Sequence, residues 1–396
     1  MTLCTQNQYD VIIAGAGPAG SSLSIRLANA GLSVLLIEQK KFPREKLCGE
    51  FISPECLVHF EELGISPAIS DARGTSLSET VFYSRSGKGV SVRSEWFGQT
   101  DSVALGLSRA EMDRLLVEQA KRAGVAVYEE SSVNGLLIEN ASVCGVKIKD
   151  KNGNTSEIAA NLTVDATGRT RSLARRLGNK AGQASPAKHV AFKTHLRGAC
   201  VGRGACEIYV YSGGYGGCNR VEGGFYNLCF IASVKDTKRL ESDAERVMRE
   251  VVFTNQRARS AMENAVVAKP WLAVPIERFG RGELVPAEGM ITVGDAAAFI
   301  DPFTGSGILL ALESAKIAAS AIMESFDTVF EFGAVANVYK DRYSATFDSR
   351  LRVCSMLRHA AFVPFLAETT ISLLSLNERL RRKVARATRF SAGPAS

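Results

Sequence analysis

Three stretches spaced along 396 residues predict an α/β fold built on a parallel nucleotide-binding sheet. Tyr9 to Glu38 reads as apolar strand, glycine turn, helix and second apolar strand; Leu162 to Gly168 and Met290 to Gly307 each bring a further buried strand to a glycine turn. Between and after them, alternating runs predict an inserted β-meander and a second sheet, and the chain closes on helices.

Val11 to Ala14 is a short apolar run with β-branched residues, as a fully buried parallel strand requires. Gly15, Gly17 and Gly20 follow at G-x-G-x-x-G spacing. The first allows the tight turn, the second lets backbone approach a diphosphate, and the third lets the helix pack on the strand. Pro18 suits the first helical turn, where its missing N–H is not needed, and with Ala19 it lies at the positive helix end that faces phosphates. Glu38 ends the second strand. A carboxylate there accepts both ribose hydroxyls and repels a 2′-phosphate, which predicts a Rossmann-like unit holding FAD or NAD rather than NADP.

A chain with 46% hydrophobic residues can bury a large core. No apolar run approaches the roughly 18 to 20 residues of a membrane span, and a strand starting at Tyr9 leaves no room for a signal peptide, so a cytoplasmic protein is expected. Nine cysteines without a C-x-x-C pair predict reduced thiols, and His59, His189, His195 and His359 lack metal-ligand spacing, so no metal is expected. The net charge of +7 has a local source in Arg379, Arg381, Arg382, Lys383, Arg386 and Arg389. That tail reads first as a solvated helical face and second as a peripheral contact with an anionic membrane surface. Nucleic acid is not expected, because no aromatic residues interleave with the basic ones.

Gln39 to Ser53 has neither helical nor strand periodicity and reads as a loop beside the nucleotide. Pro54 to Leu63 predicts a short helix, and Val81 to Val92 a hairpin around Ser86 to Gly89. LSRAEMDRLLVEQAKRAG predicts a helix capped by Ser108 and stopped by Gly124. Val125 to Tyr128, Val133 to Ile138, Val143 to Lys149 and Ser156 to Ala160 predict the meander, after which Leu162 to Asp165 returns as a buried strand. Strand-like segments from Ala187, then a helix near Glu241 to Phe253, predict an α+β substrate domain whose sheet roofs the nucleotide. The last long helices are expected at Thr304 to Glu324, Tyr339 to Leu357 and Thr369 to Phe390. The expected domains are 1–186 and 278–330 for the nucleotide, 187–277 for the roof and 331–396 for the helical C-terminus.

In VDATGRTRS a strand ends at Asp165 and turns through Gly168, where backbone can lie close to a nucleotide. In VGDAAAFIDPFTGSGI, Asp295 can bind a ribityl hydroxyl, and the helix start near Gly305 can aim N–H groups at a flavin, stabilising its anionic reduced form. This ordered set, GAGPAG with Glu38, then LSRAEMD, VDATGRTRS and VGDAAAFIDPFTGSGI, resembles the FAD-dependent aromatic hydroxylase superfamily, similar to para-hydroxybenzoate hydroxylase. KLCGE and PFTGSGI resemble most its geranylgeranyl reductase-related branch. The resemblance covers roughly residues 9 to 325. It implies FAD as cofactor and NAD(P)H as transient reductant. It places Gly15, Gly17, Gly20 and Glu38 on the ADP half, Arg109 beside the cofactor, and Asp165 and Gly168 at the nucleotide. Asp295 then belongs to the diphosphate and ribityl chain, and Pro302, Gly305 and Gly307 to the isoalloxazine.

The prenyl reductases of that branch carry Tyr-x-Trp-x-Phe-Pro in the roof, where this chain has Tyr215-Gly216-Gly217-Cys218-Asn219-Arg220. Flavin halogenases use Trp-x-Trp-x-Ile-Pro, whereas KPWLAVPIE holds the single Trp271. The expected activity is therefore monooxygenation of a hydrophobic aromatic or polyketide-like molecule, with reduction of a prenyl or polyene substrate as the alternative. An electron-transfer role without a substrate is a third reading, which a roof over the flavin argues against. Cys48 and Tyr215 are the candidate catalytic residues. Arg44 and Lys46 either bind the cofactor or an acidic substrate group, or are solvated.

Overall fold

The computed structural model describes residues 9–97, 102–178, 186–277, 279–299, 305–326, 330–361 and 364–387. Pro302 and Arg389 lie outside them. Its first sheet places Ala126–Tyr128, Val34–Ile37, Tyr9–Ala14 and Thr155–Asp165 side by side, all parallel, and Met290–Thr292 joins in parallel at Thr163 to Asp165. Helices Pro18–Asn29 and Arg109–Arg122 supply the crossovers, and Gly307–Phe326 packs across the first of them. Val11, Ile13, Leu36, Leu116, Ile291 and Leu312 are among the side chains of the resulting core.

Two details depart from the expected meander. Ala126–Tyr128 pairs in parallel with Val34–Ile37 instead of opening the meander. The two expected strands around Asn161 are one strand, Thr155–Asp165. Its first half pairs antiparallel with Ser142–Lys149, which pairs with Ser132–Glu139, while its second half enters the parallel sheet. No glycine or proline interrupts it, so one strand serves both layers.

The second sheet runs in the order Val266–Val267, His189–Arg197, Tyr226–Ser233, Gly214–Arg220, Ala205–Tyr211, Glu79–Tyr83 and Gly89–Arg93, with Leu272–Ile276 also pairing with His189–Arg197. The hairpin at its edge comes from the first half of the chain and joins in parallel, Glu79 opposite Ala205. Period-two alternation sorts the faces. Phe192, Phe230, Tyr209 and Tyr211 pack against short helices, whereas Ala191, Ile231 and Tyr215 form a separate cluster on the opposite face. The helix expected near Glu241 to Phe253 is Ala244–Glu250, started by Asp243, which accepts from the N–H groups of Glu245 and Arg246; a short helix not expected from the sequence, Val234–Arg239, precedes it.

Phe332–Ala361, Pro364–Leu376 and Glu378–Ala387 close the chain. The expected helix from Thr369 is broken at Asn377, whose Oδ1 accepts from Leu380 N and caps the last helix. Among the described residues no helix is long and apolar enough to cross a membrane.

Candidate functional site

The strand Tyr9–Ala14 turns at Gly15, whose φ of +104° disfavours any side chain. A β-carbon at Gly20 would lie 1.9 Å from the Gly15 carbonyl oxygen, so Gly20 is what lets the helix sit on the strand. Gly17 is different: its β-carbon would meet only Arg109 Nη2, at 3.8 Å, among the described residues. That space belongs to a cavity of about 760 Å³, bordered here by Gly15, Gly17, Pro18 and Ala19. The helix begins at Gly17 without a side-chain cap, which leaves its first N–H groups and positive end for an anion.

Glu38, buried, reaches the same cavity. Its carboxylate accepts from Ala16 N at 3.2 Å and Lys40 N at 3.0 Å and pairs with Arg44 at 3.2 Å. Arg44 also pairs with Asp113 at 3.0 Å, and Asp113 takes a bidentate pair of 2.8 Å bonds from Arg109. Asp113 is fully buried and escaped the sequence reading, although its i,i+4 spacing from Arg109 on a capped helix was a usable signal. Burial opposes the charge on Arg109, but Asp113 more than offsets it and holds the guanidinium above its usual range. Lys46 is shifted down, first by burial and then by Arg44 and Arg109.

Asp295 borders the cavity and is raised by burial, against the pull of Arg109, Lys46, Arg169 and Arg171. Gly168, Gly305 and Gly307 also border it, and β-carbons at Gly168 and Gly307 would meet nothing described within 4 Å. Asp165 behaves differently from the expectation that it sits at the nucleotide. It is fully buried, and its carboxylate accepts from Thr167 N, Thr167 Oγ1, Leu173 N and Ala174 N, so it fastens the turn behind the cavity. Open glycine backbone, an uncapped helix start and several cations around one acid fit the dinucleotide diphosphate of FAD.

The roof sheet bounds the other side. Cys48 and Tyr215 both border the cavity; Tyr215 also packs with Ala191, Ile231 and Ile276. Cys48 Sγ accepts from Glu50 N, and the Arg109 guanidinium acts on the same thiol. Cys229, opposite on the roof, is pushed up to about 12 by burial and stays a neutral thiol.

Beside Cys48 lies a network the sequence did not disclose. Glu50 is fully buried with a left-handed φ of 51°, a conformation that costs a non-glycine residue about 1 kcal/mol or more. Four contacts fix it: Lys193 Nζ and His195 Nε2, each 2.6 Å from the carboxylate, Arg109 N at 2.9 Å, and Asn219 Nδ2 on its carbonyl at 3.3 Å. Lys193 also holds Glu45 at 2.9 Å, and Asn227 Nδ2 donates to the Cys48 carbonyl at 3.2 Å. Ligand atoms of Glu45, Glu50 and His195 lie within 4.8 Å of one another, close enough for a cation, but the Lys193 ammonium already supplies the positive charge there. The network ties the Cys48 loop to the roof.

A dinucleotide cradle under a sheet-roofed cavity defines an FAD-dependent oxidoreductase. The chain belongs to the FAD binding domain family, whose model matches residues 8–327. It is 30% identical over 349 residues to a digeranylgeranylglycerophospholipid reductase of Methanosarcina acetivorans, covering 85% of this chain and 81% of that one. In structure it is similar to a geranylgeranyl bacteriochlorophyll reductase-like protein from Thermoplasma acidophilum, with a TM-score of 0.80 at 20% identity over 96% of both chains. A flavin-dependent brominase gives 0.79 at 20% identity, over 96% of this chain and 93% of that one. At such identities the structural likeness is one of fold, while the family match and the reductase relative bear out the resemblance read from the motifs.

Proposed function

We propose that the protein is an NAD(P)H-dependent flavin reductase of carbon–carbon double bonds in a long, apolar, lipid-like substrate. One observation carries this reading. The cavity continues beyond the cradle along the roof, bordered by Ala191, Ile231, Tyr215, Ile208, Phe82 and Val90, one from each of six neighbouring strands. Five inter-strand steps span about 24 Å, a surface suited to a chain and larger than an aromatic ring requires. For that reason the reductase alternative displaces the monooxygenation expected from the roof motif. The reductase relative supports the same choice.

FAD, when bound, supplies the electron pair it has taken from NAD(P)H. The chain's own part is to lay the substrate under the roof, exclude water and present a proton. Cys48 is the donor at the cavity wall, with Arg109 beside it, and solvent returns the proton after turnover. The double bond gains one hydride and one proton, and NAD(P)H is oxidised to NAD(P)⁺. The test is product mass after turnover of prenyl lipids with labelled dioxygen present and absent. A gain of two hydrogens without oxygen supports reduction, whereas label in the product overturns it in favour of hydroxylation.

A further inference from the structure

The last two helices present an outward surface that the cavity does not use. We infer that Pro364–Leu376 and Glu378–Ala387 dock on the anionic face of a lipid bilayer and set the apolar end of the cavity against it. The inference goes beyond the proposed reaction, and its test reads binding without turnover.

The inner side of this helix pair is committed to the fold. Ile371, Leu374, Arg381, Val384 and Ala385 border the cavity. Glu368 accepts from Ser86 N at 3.0 Å and Ser86 Oγ at 3.1 Å, Arg381 lies 5.6 Å over the Trp96 ring, and Arg386 Nε donates to the Trp96 carbonyl at 3.3 Å. The pair is thus pinned to the edge hairpin of the roof rather than trailing in water. Val384, at helical spacing from the exposed leucines, turns inward with this set.

The outer side combines two features that conflict in water. Leu373, Leu376 and Leu380 are 58%, 84% and 45% exposed, and no other exposed large apolar residues cluster so closely in the described sequence. Arg379, Arg382 and Lys383 are also exposed, and at about 100° per residue they share a helix face turned away from Arg381 and Ala385. The acid of this helix is Glu378, 3.9 Å from Arg381. Leucines that enter the acyl boundary beside cations at the phosphate level are what an anionic bilayer accommodates. A polyanion without an apolar layer would leave the leucines in water.

Full-length, FAD-loaded protein is sedimented with phosphatidylcholine vesicles containing phosphatidylglycerol, or with phosphatidylcholine alone. The expected result is binding to the anionic vesicles at low salt that fades as salt rises. The Arg379→Glu, Arg382→Glu, Lys383→Glu variant should bind on the order of a hundredfold more weakly, at about fivefold per basic residue before any repulsion. Leu373→Ser, Leu376→Ser, Leu380→Ser should lose at least about tenfold even at low salt. Retained flavin absorbance shows that each variant is folded. Equal binding by wild type and either variant, indifference to phosphatidylglycerol, or polyglutamate competing as strongly as vesicles overturns the proposal, the last in favour of an acidic protein partner.

Discussion

Lys193 Nζ on the roof sheet lies 2.6 Å from Glu50 Oε1 on the cofactor-side loop, with both side chains at most 2% exposed. Removing either partner takes away the closest counter-charge, leaving Lys193 with Glu45 alone or Glu50 with His195 and the Arg109 N–H, against a cost of about 3–5 kcal/mol for a buried charge left wholly unpaired. Lys193→Met and Glu50→Gln should each lower the thermal stability of the FAD-loaded protein substantially. The double variant should be less destabilised than the two changes added together, as a thermal-melt double-mutant cycle will show. Additive effects would mean that the pair does not tie loop to roof.

The two glycines of the cradle should separate folding from cofactor binding. Gly20→Ala forces a methyl against the Gly15 carbonyl and is expected to prevent a stable fold. Gly17→Ala meets only Arg109 Nη2 at van der Waals distance, so the cofactor-free protein should melt near the wild-type temperature while FAD affinity falls at least about tenfold. Calorimetric melts and flavin fluorescence titration check both. Equal FAD affinity in Gly17→Ala would remove the diphosphate from that position.

Asp113 should matter to FAD although it does not border the cavity. It sets both Arg109 and Arg44, and Asp113→Ala should weaken FAD binding by about tenfold or more, leaving the buried Arg109 without its counter-charge and Arg44 with Glu38 alone. Asp113→Glu should recover less than full affinity, because the bidentate geometry depends on side-chain length. Flavin titration of the three proteins reads this order.

Acid should weaken the roof in a defined window. Burial alone would raise the Glu45 carboxyl, but hydrogen bonds from Lys269 and Lys193 hold it down to about 2, against 4.5 unperturbed. The folded state therefore binds fewer protons than the unfolded one, so the contribution of Glu45 is complete above 4.5 and is lost as pH falls through about 2. Lys193 moves the other way: burial lowers it, Glu50 and Glu45 more than offset this, and its contribution is lost only in strong alkali. Stability measured from pH 5 to 2 should fall more steeply for wild type than for Glu45→Gln. Parallel curves would assign the acid loss elsewhere.

What the sequence disclosed and what it hid divide along physical lines. Gly15, Gly17 and Gly20 were legible because their spacing is a pattern within one turn, two of them fixed by backbone and Gly17 by the open space beside it, and Ser108 announced its helix through a local cap. Asp165 was expected at the nucleotide; a carboxylate at a strand end can face a ligand or fasten its own turn, and only the fold shows it accepting four bonds from residues just beyond it. Glu50 and Lys193 are 143 residues apart, so no local period could pair them. The apolar end of the cavity was equally hidden, since it forms only when the Glu79–Tyr83 hairpin joins a sheet built mostly from residues after His189.

The most direct test of the account is to reduce the FAD-loaded protein without oxygen and add a prenyl phospholipid. The account predicts that flavin absorbance returns in proportion to lipid consumed, one double bond saturated per flavin, and that Cys48→Ser slows this step without changing FAD affinity. Flavin that stays reduced until oxygen is admitted, with the lipid then recovered hydroxylated or unchanged, would contradict it.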